Sequence, residues 1–139
     1  MLFGEYFHNI DQKGRMNFPS RMRDELGERF VVTLWSDNCL AVFFETEWER
    51  ICDRIRQLPI AKASKIQHYI FPNACYLEPD KQGRILLPQN LRDSAALGKD
   101  VAVIGMMDRA EIWDRDRWIE NKRNFNSKSF EEHLEENGI

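Results

Sequence analysis

Asp11-Gln12-Lys13-Gly14-Arg15-Met16-Asn17-Phe18-Pro19 returns, at an offset of 69 residues, as Asp80-Lys81-Gln82-Gly83-Arg84-Ile85-Leu86-Leu87-Pro88. In both stretches an aspartate can hydrogen-bond its own backbone and a glycine three places on can take a positive φ, so each reads as a tight turn between two short strands. Asp11, Gly14, Asp80 and Gly83 are accordingly assigned to shaping the turns. Pro19 and Pro88 suit the first position of a short helix, which Gly27 and Gly98 would terminate.

The likeness extends outward from these turns. Arg23-Asp24 matches Arg92-Asp93, and Leu26-Gly27 matches Leu97-Gly98 after a two-residue insertion. An apolar strand follows in each copy, Phe30 to Trp35 or Val101 to Met106. Each copy then turns through a polar pair, Asp37-Asn38 or Asp108-Arg109, into a second strand, Cys39 to Phe44 or Ala110 to Trp113. A helix carrying Trp48 or Trp118 closes each copy. The chain is a duplicated β-turn-β-α-β-β unit. With 139 residues, neither half buries enough apolar surface to stand alone, and a shared core is expected.

The remaining elements fit around this repeat. Thr46-Glu47-Trp48-Glu49 reads as a capping box opening a helix with Trp48, Ile51, Ile55 and Leu58 on one face. A further helix from Ala61 to Phe71 would stop at Pro72, and another runs from Asp116 to Phe125. The chain divides into a first repeat (1–60), a connecting helix and linker (61–76), a second repeat (77–125) and an acidic tail (126–139), expected to be mobile or a weakly formed helix. Helical spacing places Trp48 and Trp118 in core packing, not in base stacking.

Charge gives the first functional signal. The chain carries a net charge of −3, yet Lys13, Arg15, Arg21 and Arg23 lie in a segment without an acid, and so do Lys81, Arg84 and Arg92. If the copies pack about a pseudo-two-fold axis, these cations share one face suited to a phosphate backbone, and a two-stranded ribbon can enter a major groove. Against this stands the ordinary alternative of solvated surface charge. An enzyme built on Asp11 and Asp80 as a proton-sharing dyad is disfavoured, because each aspartate opens a turn beside an arginine that would keep it ionised. No nucleophile and base pair stands out among His8, His68, His133 and the serines, and no catalytic residue is assigned. Cys39, Cys52 and Cys75 match no zinc spacing and read as small apolar residues; no metal or cofactor is expected. The opening Met1-Leu2-Phe3-Gly4-Glu5 has no apolar run behind it, and no stretch has the length of a membrane span, so the expectation is a cytoplasmic protein.

On Asp11-Gln12-Lys13-Gly14-Arg15, Pro19, Arg23, Trp48 and Glu111-Ile112-Trp113-Asp114, the chain resembles the MraZ transcriptional regulators over residues 1–125. The resemblance implies a mainly β fold with α, in which tandem AbrB-like swapped-hairpin units form one pseudo-two-fold β-barrel decorated by helices. It implies a sequence-specific DNA-binding regulator, usually a repressor, acting on the division and cell-wall gene cluster and associated with the nucleoid. Its partners would be tandem repeats in promoter double-stranded DNA and further copies of itself in a ring, with no membrane and no small-molecule substrate. The family's DNA-facing motif falls on Lys13, Arg15 and Arg84. Arg15 and Arg84 are expected as base or phosphate readers, Lys13 and Lys81 as phosphate contacts, and Arg21, Arg23 and Arg92 as supporting charges. The second turn departs from the first, with Gln82 where Lys13 stands. An AbrB-like antitoxin and a protein scaffold are the rival readings; the antitoxin pattern has one hairpin unit and a long tail, whereas here there are two units.

Overall fold

The structure is a computed structural model that describes residues 1–139. The first copy supplies β1 (Glu5–Asn9), β2 (Arg15–Asn17), α1 (Ser20–Leu26), β3 (Phe30–Leu34), β4 (Leu40–Phe44) and α2 (Glu45–Arg56). The helix α3 (Ile60–Ile70) follows. The second copy supplies β5 (Cys75–Leu77), β6 (Arg84–Leu86), α4 (Gln89–Ser94), β7 (Asp100–Gly105), β8 (Arg109–Asp114) and α5 (Arg115–Arg123), with α6 (Ser127–Glu136) last. The mainly β fold with α is present, with helices more prominent than the repeat alone implies.

The strands are traded between copies. Six of them form an antiparallel sheet in the order β1-β7-β8-β4-β3-β5, and β2 pairs with β6 in a separate two-stranded ribbon. The first strand of each copy thus lies against the third strand of the other: Glu5 opposite Ile104, and Phe30 opposite Leu77. The turns at Asp11 and Asp80 therefore do not close local hairpins, because the strands on either side of each turn pair with the other copy. Two pairs of equivalent residues face each other, Met16 opposite Ile85 in the ribbon and Ala41 opposite Glu111 in the sheet. The pseudo-two-fold axis runs through both pairs. The sheet keeps two free edges, β1 and β5, so its hydrogen bonding does not close it into the expected barrel.

Alternation along the strands divides the buried side chains. Phe30, Val32, Leu40, Val42, Val101, Val103, Ala110 and Ile112 face one way, onto Met16, Phe18, Met22, Ile85, Leu87 and Leu91 of the ribbon and of α1 and α4. That cluster draws on both copies, and neither half has a core without the other. On the opposite face Val31, Ala41 and Phe43 pack under Trp48, Cys52 and Ile55 of α2 and Ala63 and Ile70 of α3. Ala102, Ile104 and Trp113 pack under Trp118 of α5. Thr33 Oγ1 donates to the Ile70 carbonyl at 2.6 Å and fastens α3. Trp118 Nε1 and Lys122 Nζ donate to Glu5 Oε2 at 2.6 and 2.8 Å, tying β1 to the second copy's helix.

Several local expectations shift. Pro19 and Pro88 are N-cap residues in extended backbone, one place before their helices. Gly27 ends α1 with φ +85°, but Gly98 does not end α4. The residue at the 69-residue offset from Gly27 is Ala96, and it takes φ +50°. The two-residue insertion therefore follows the helix instead of lying within it, and Gly98 N donates to Asp114 Oδ1 at 2.9 Å. Thr46 lies inside α2, which starts at Glu45 with no side-chain cap, so the capping box does not form. The tail is helical: Asn126 Oδ1 accepts from Lys128 N and Ser129 N at 2.9 and 3.1 Å. No helix is long and apolar enough to cross a membrane.

Candidate nucleic-acid interface

The two turns are near copies of each other. In the first, Asp11 Oδ1 accepts from Lys13 N and Arg15 N, both at 2.9 Å, while Oδ2 accepts from Arg15 Nε at 2.9 Å. In the second, Asp80 Oδ1 accepts from Gln82 N and Arg84 N, and Oδ2 from Arg84 Nε, again at 2.9 Å each. These bonds, led by the arginine backbone N–H, hold both carboxyls below the usual aspartate range. A proton-sharing dyad needs a raised carboxyl, so the geometry runs against one. Each arginine spends Nε on its aspartate and leaves Nη1 and Nη2 without a protein partner, available for bidentate contacts.

Each turn is also locked to the opposite copy. Phe18 N donates to Gly83 O at 3.1 Å, and Leu87 N donates to Gly14 O at 2.9 Å, which extends the ribbon's ladder beyond its three paired residues. Gly14 has φ +87° and Gly83 φ +77°. Arg92 Nε donates to the Leu87 carbonyl and Arg23 Nε to the Phe18 carbonyl, both at 3.0 Å. Their guanidinium groups lie over Gly14 and Gly83 respectively. The cations are thus regrouped: Arg92 of the second copy stands with Lys13 and Arg15, and Arg23 of the first with Lys81 and Arg84. Sequence order grouped them by copy, and the chain exchange could not be read from it.

The ribbon's register sets the face between the turns. Arg15 lies opposite Leu86 and Arg84 opposite Asn17. Because alternate residues of a strand share a face, these four side chains point outward together. Met16 and Ile85 point inward and are 1% and 0% exposed. The glycines mark the two ends: Gly83 is level with Phe18, so four residue steps, about 13 Å, separate it from Gly14 along the ribbon. Lys13 and Lys81 are exposed near those ends. Arg21 sits apart, lining a depression with Met1, Leu2, Phe3, Tyr6 and Glu25. Asn17 and Leu86 were not among the residues singled out from sequence. The signal was the alternation itself, which puts both on the solvent side once β2 and β6 are paired.

Chemically this is a narrow ribbon with two forked cations at its centre and a lysine near each end. Arginine forks match phosphate oxygens or the O6 and N7 edge of guanine, and a two-stranded ribbon fits a major groove about 12 Å wide. No group of three or more His, Cys, Asp or Glu side chains is placed to share a metal ion. Trp48 and Trp118 are buried, each edge-on to another aromatic, Phe71 at 5.5 Å and Trp113 at 5.3 Å.

A family model described as "MraZ protein, putative antitoxin-like" matches residues 1–67 and 70–137, one match on each copy. The chain is similar to the transcriptional regulator MraZ of Lachnoclostridium phytofermentans, 44% identical over 140 aligned positions that cover 100% of this chain and 99% of the relative. It is 41% identical to that of Acetivibrio thermocellus over 143 positions, 100% of both chains. With that of Heliobacterium modesticaldum it shares 48% identity over 120 positions, 85% of this chain and 84% of the relative.

Proposed function

The chain belongs to the MraZ family, and on that footing we propose that it is a sequence-specific DNA-binding transcriptional regulator that works through the β2-β6 ribbon. The observation that carries this reading is the outward pairing of Arg15 and Arg84 on one ribbon, each with free Nη groups and each held by its own turn aspartate. Lys13 and Lys81 contact phosphates on either side, while Arg23 and Arg92 hold the turns and add to the local positive potential. Such a role asks for no catalytic centre. The work belongs to the bacterial cytoplasm, at the nucleoid where the DNA is.

We propose a finer role as well, which the family resemblance supports. The protein represses the division and cell-wall gene cluster by binding tandem promoter repeats, and it does so as a ring of several copies. An exposed apolar surface at Leu58, Ile66, Met106 and Met107, beside Trp35 and Ile51, supports contact between copies. A ring offers several ribbons to successive repeats and raises overall affinity through effective concentration.

Binding of the protein to its own upstream DNA at several salt concentrations tests this, wild type against the double variant Arg15→Ala/Arg84→Ala. Salt-sensitive binding that the variant loses while keeping its assembly state is expected. Equal binding to unrelated DNA, or binding unchanged in the variant, overturns the assignment of this face.

A further inference from the structure

Asn17 and Leu86 occupy equivalent places in the two copies and differ in chemistry. Both point outward from the ribbon, Asn17 beside Arg84 and Leu86 beside Arg15. Neither side chain supports the fold, since Asn17 is exposed and its amide bonds to no other group, while Leu86 is 55% exposed and outside every buried cluster. The inward positions at Met16 and Ile85 already supply the ribbon's apolar side. A polar residue at position 86 would serve the fold as well, so the exposed leucine between arginines is informative about what that face meets.

We propose that Asn17 and Leu86 are base-reading residues, and that their difference makes the preferred DNA site non-palindromic, so that each protomer sits on it in one orientation. The inference rests on the DNA-binding reading of the ribbon. Directly opposite side chains on a ribbon have Cβ atoms about 4.5–5.5 Å apart and diagonal ones about 7–8 Å. The block of Arg15, Leu86, Asn17 and Arg84 therefore covers about two base-pair steps of 3.4 Å. Within it the arginines are related by the pseudo-two-fold axis and ask for the same base in both halves. Asn17 and Leu86 do not: an asparagine amide matches adenine N6 and N7, whereas an aliphatic side chain packs on the thymine methyl. The lysines differ in position too, but at the ribbon ends they meet phosphates, which carry no direct sequence information.

Selection of binding sites from a random duplex library, one site per duplex, tests the proposal with four full-length proteins: wild type, Asn17→Leu, Leu86→Asn and Arg15→Ala/Arg84→Ala. Wild type should yield a consensus that is non-palindromic around the axis. L86N and N17L each give the two halves the same residue, and each should yield a palindromic consensus, adenine-centred in the first and thymine-centred in the second. The change at the affected base pair should be about 5-fold or more, the value of one good contact. Asn17→Ala and Leu86→Ala, which introduce no new group, should each flatten the consensus in one half only. One consensus shared by wild type, N17L and L86N, or a palindromic wild-type consensus, overturns the proposal. If wild type selects a site and the double arginine variant does not, the DNA-binding reading survives that failure. If wild type selects nothing, both fall together.

Discussion

The guanidinium of Arg92 lies where a side chain on Gly14 would have to go. A Cβ at Gly14 would stand 2.9 Å from Arg92 Nη2 and 3.0 Å from the Leu87 carbonyl oxygen, and Arg92 is itself fastened to that carbonyl. Arg23 covers Gly83 in the same way, with Cζ at 2.5 Å. The glycine serves two needs at once, a positive φ and a bare surface for the arginine of the other copy.

Gly14→Ala should therefore cost more than the left-handed backbone alone demands. Gly27 provides the reference, since it has φ +85° with nothing within 4 Å of its Cβ position. G27A should lose about 1 kcal/mol and G14A about 1–3 kcal/mol or more in urea unfolding. Equal losses would show that the arginine's seat on the glycine contributes nothing.

Met16 and Ile85 meet on the axis under the ribbon and are buried against the shared core. Met16→Ala and Ile85→Ala should each destabilise by about 2–5 kcal/mol. Because the two are in contact, combining M16A with I85A should depart from additivity by about 0.5–3 kcal/mol. Calorimetric or denaturant melts of the single and double variants measure this directly, and additive losses would place the two side chains in separate packing units.

Lys13 and Arg15 should separate by their DNA phenotypes. Lys13→Ala should weaken binding to all sequences alike and lower the slope of log affinity against log salt by about one. Arg15→Ala should cost about 1–3 kcal/mol at the cognate site and relax preference there. A cognate-only loss in K13A would reverse the two assignments.

Acid should loosen the turns. Asp11 and Asp80 have folded values lowered from 3.8, chiefly by the backbone N–H of Arg15 and of Arg84. A carboxyl so depressed adds stability that is complete above its unfolded value and is lost as pH falls through the folded one. Wild type should therefore lose stability progressively below about pH 3.8. In Asp11→Asn/Asp80→Asn that acid-dependent part should shrink, with lower stability at neutral pH. Parallel pH profiles for the two proteins would show that these carboxyls do not drive the acid response.

The repeat was legible because its turn chemistry is local: Asp, Gly and Arg within five residues write the same hydrogen bonds twice. Helical spacing likewise identified Trp48 and Ile55, which are buried against the sheet. Pairing was legible only through the family resemblance, which implies swapped hairpins, and not from the residues themselves. Nothing between Glu5 and Arg15 shows that the strands flanking Asp11 bond to β7 and β6 instead of to each other, since either partner satisfies the same alternation. The exchange of Arg23 and Arg92 between turns is hidden for the same reason. Gly98 misled through composition: glycine is the usual residue at a helix end, yet Ala96 takes the left-handed position there. The outward face of the ribbon, with Asn17 and Leu86, could be read only once β2 and β6 were set in register.

The interleaved sheet also fixes when this protein can fold during its synthesis. Glu5 in β1 waits for Ile104, and the ribbon waits for Arg84 to Leu86. At about 5–20 residues per second, the first strand spends roughly 5–20 s without its partner while the ribosome delivers the second copy. Throughout that interval the half-made chain presents open strand edges and half a core. A nascent neighbour on the same message carries the missing half in identical form, so a first copy could be completed by the wrong chain. Crowded translation of one transcript therefore exposes this fold to mispairing between chains.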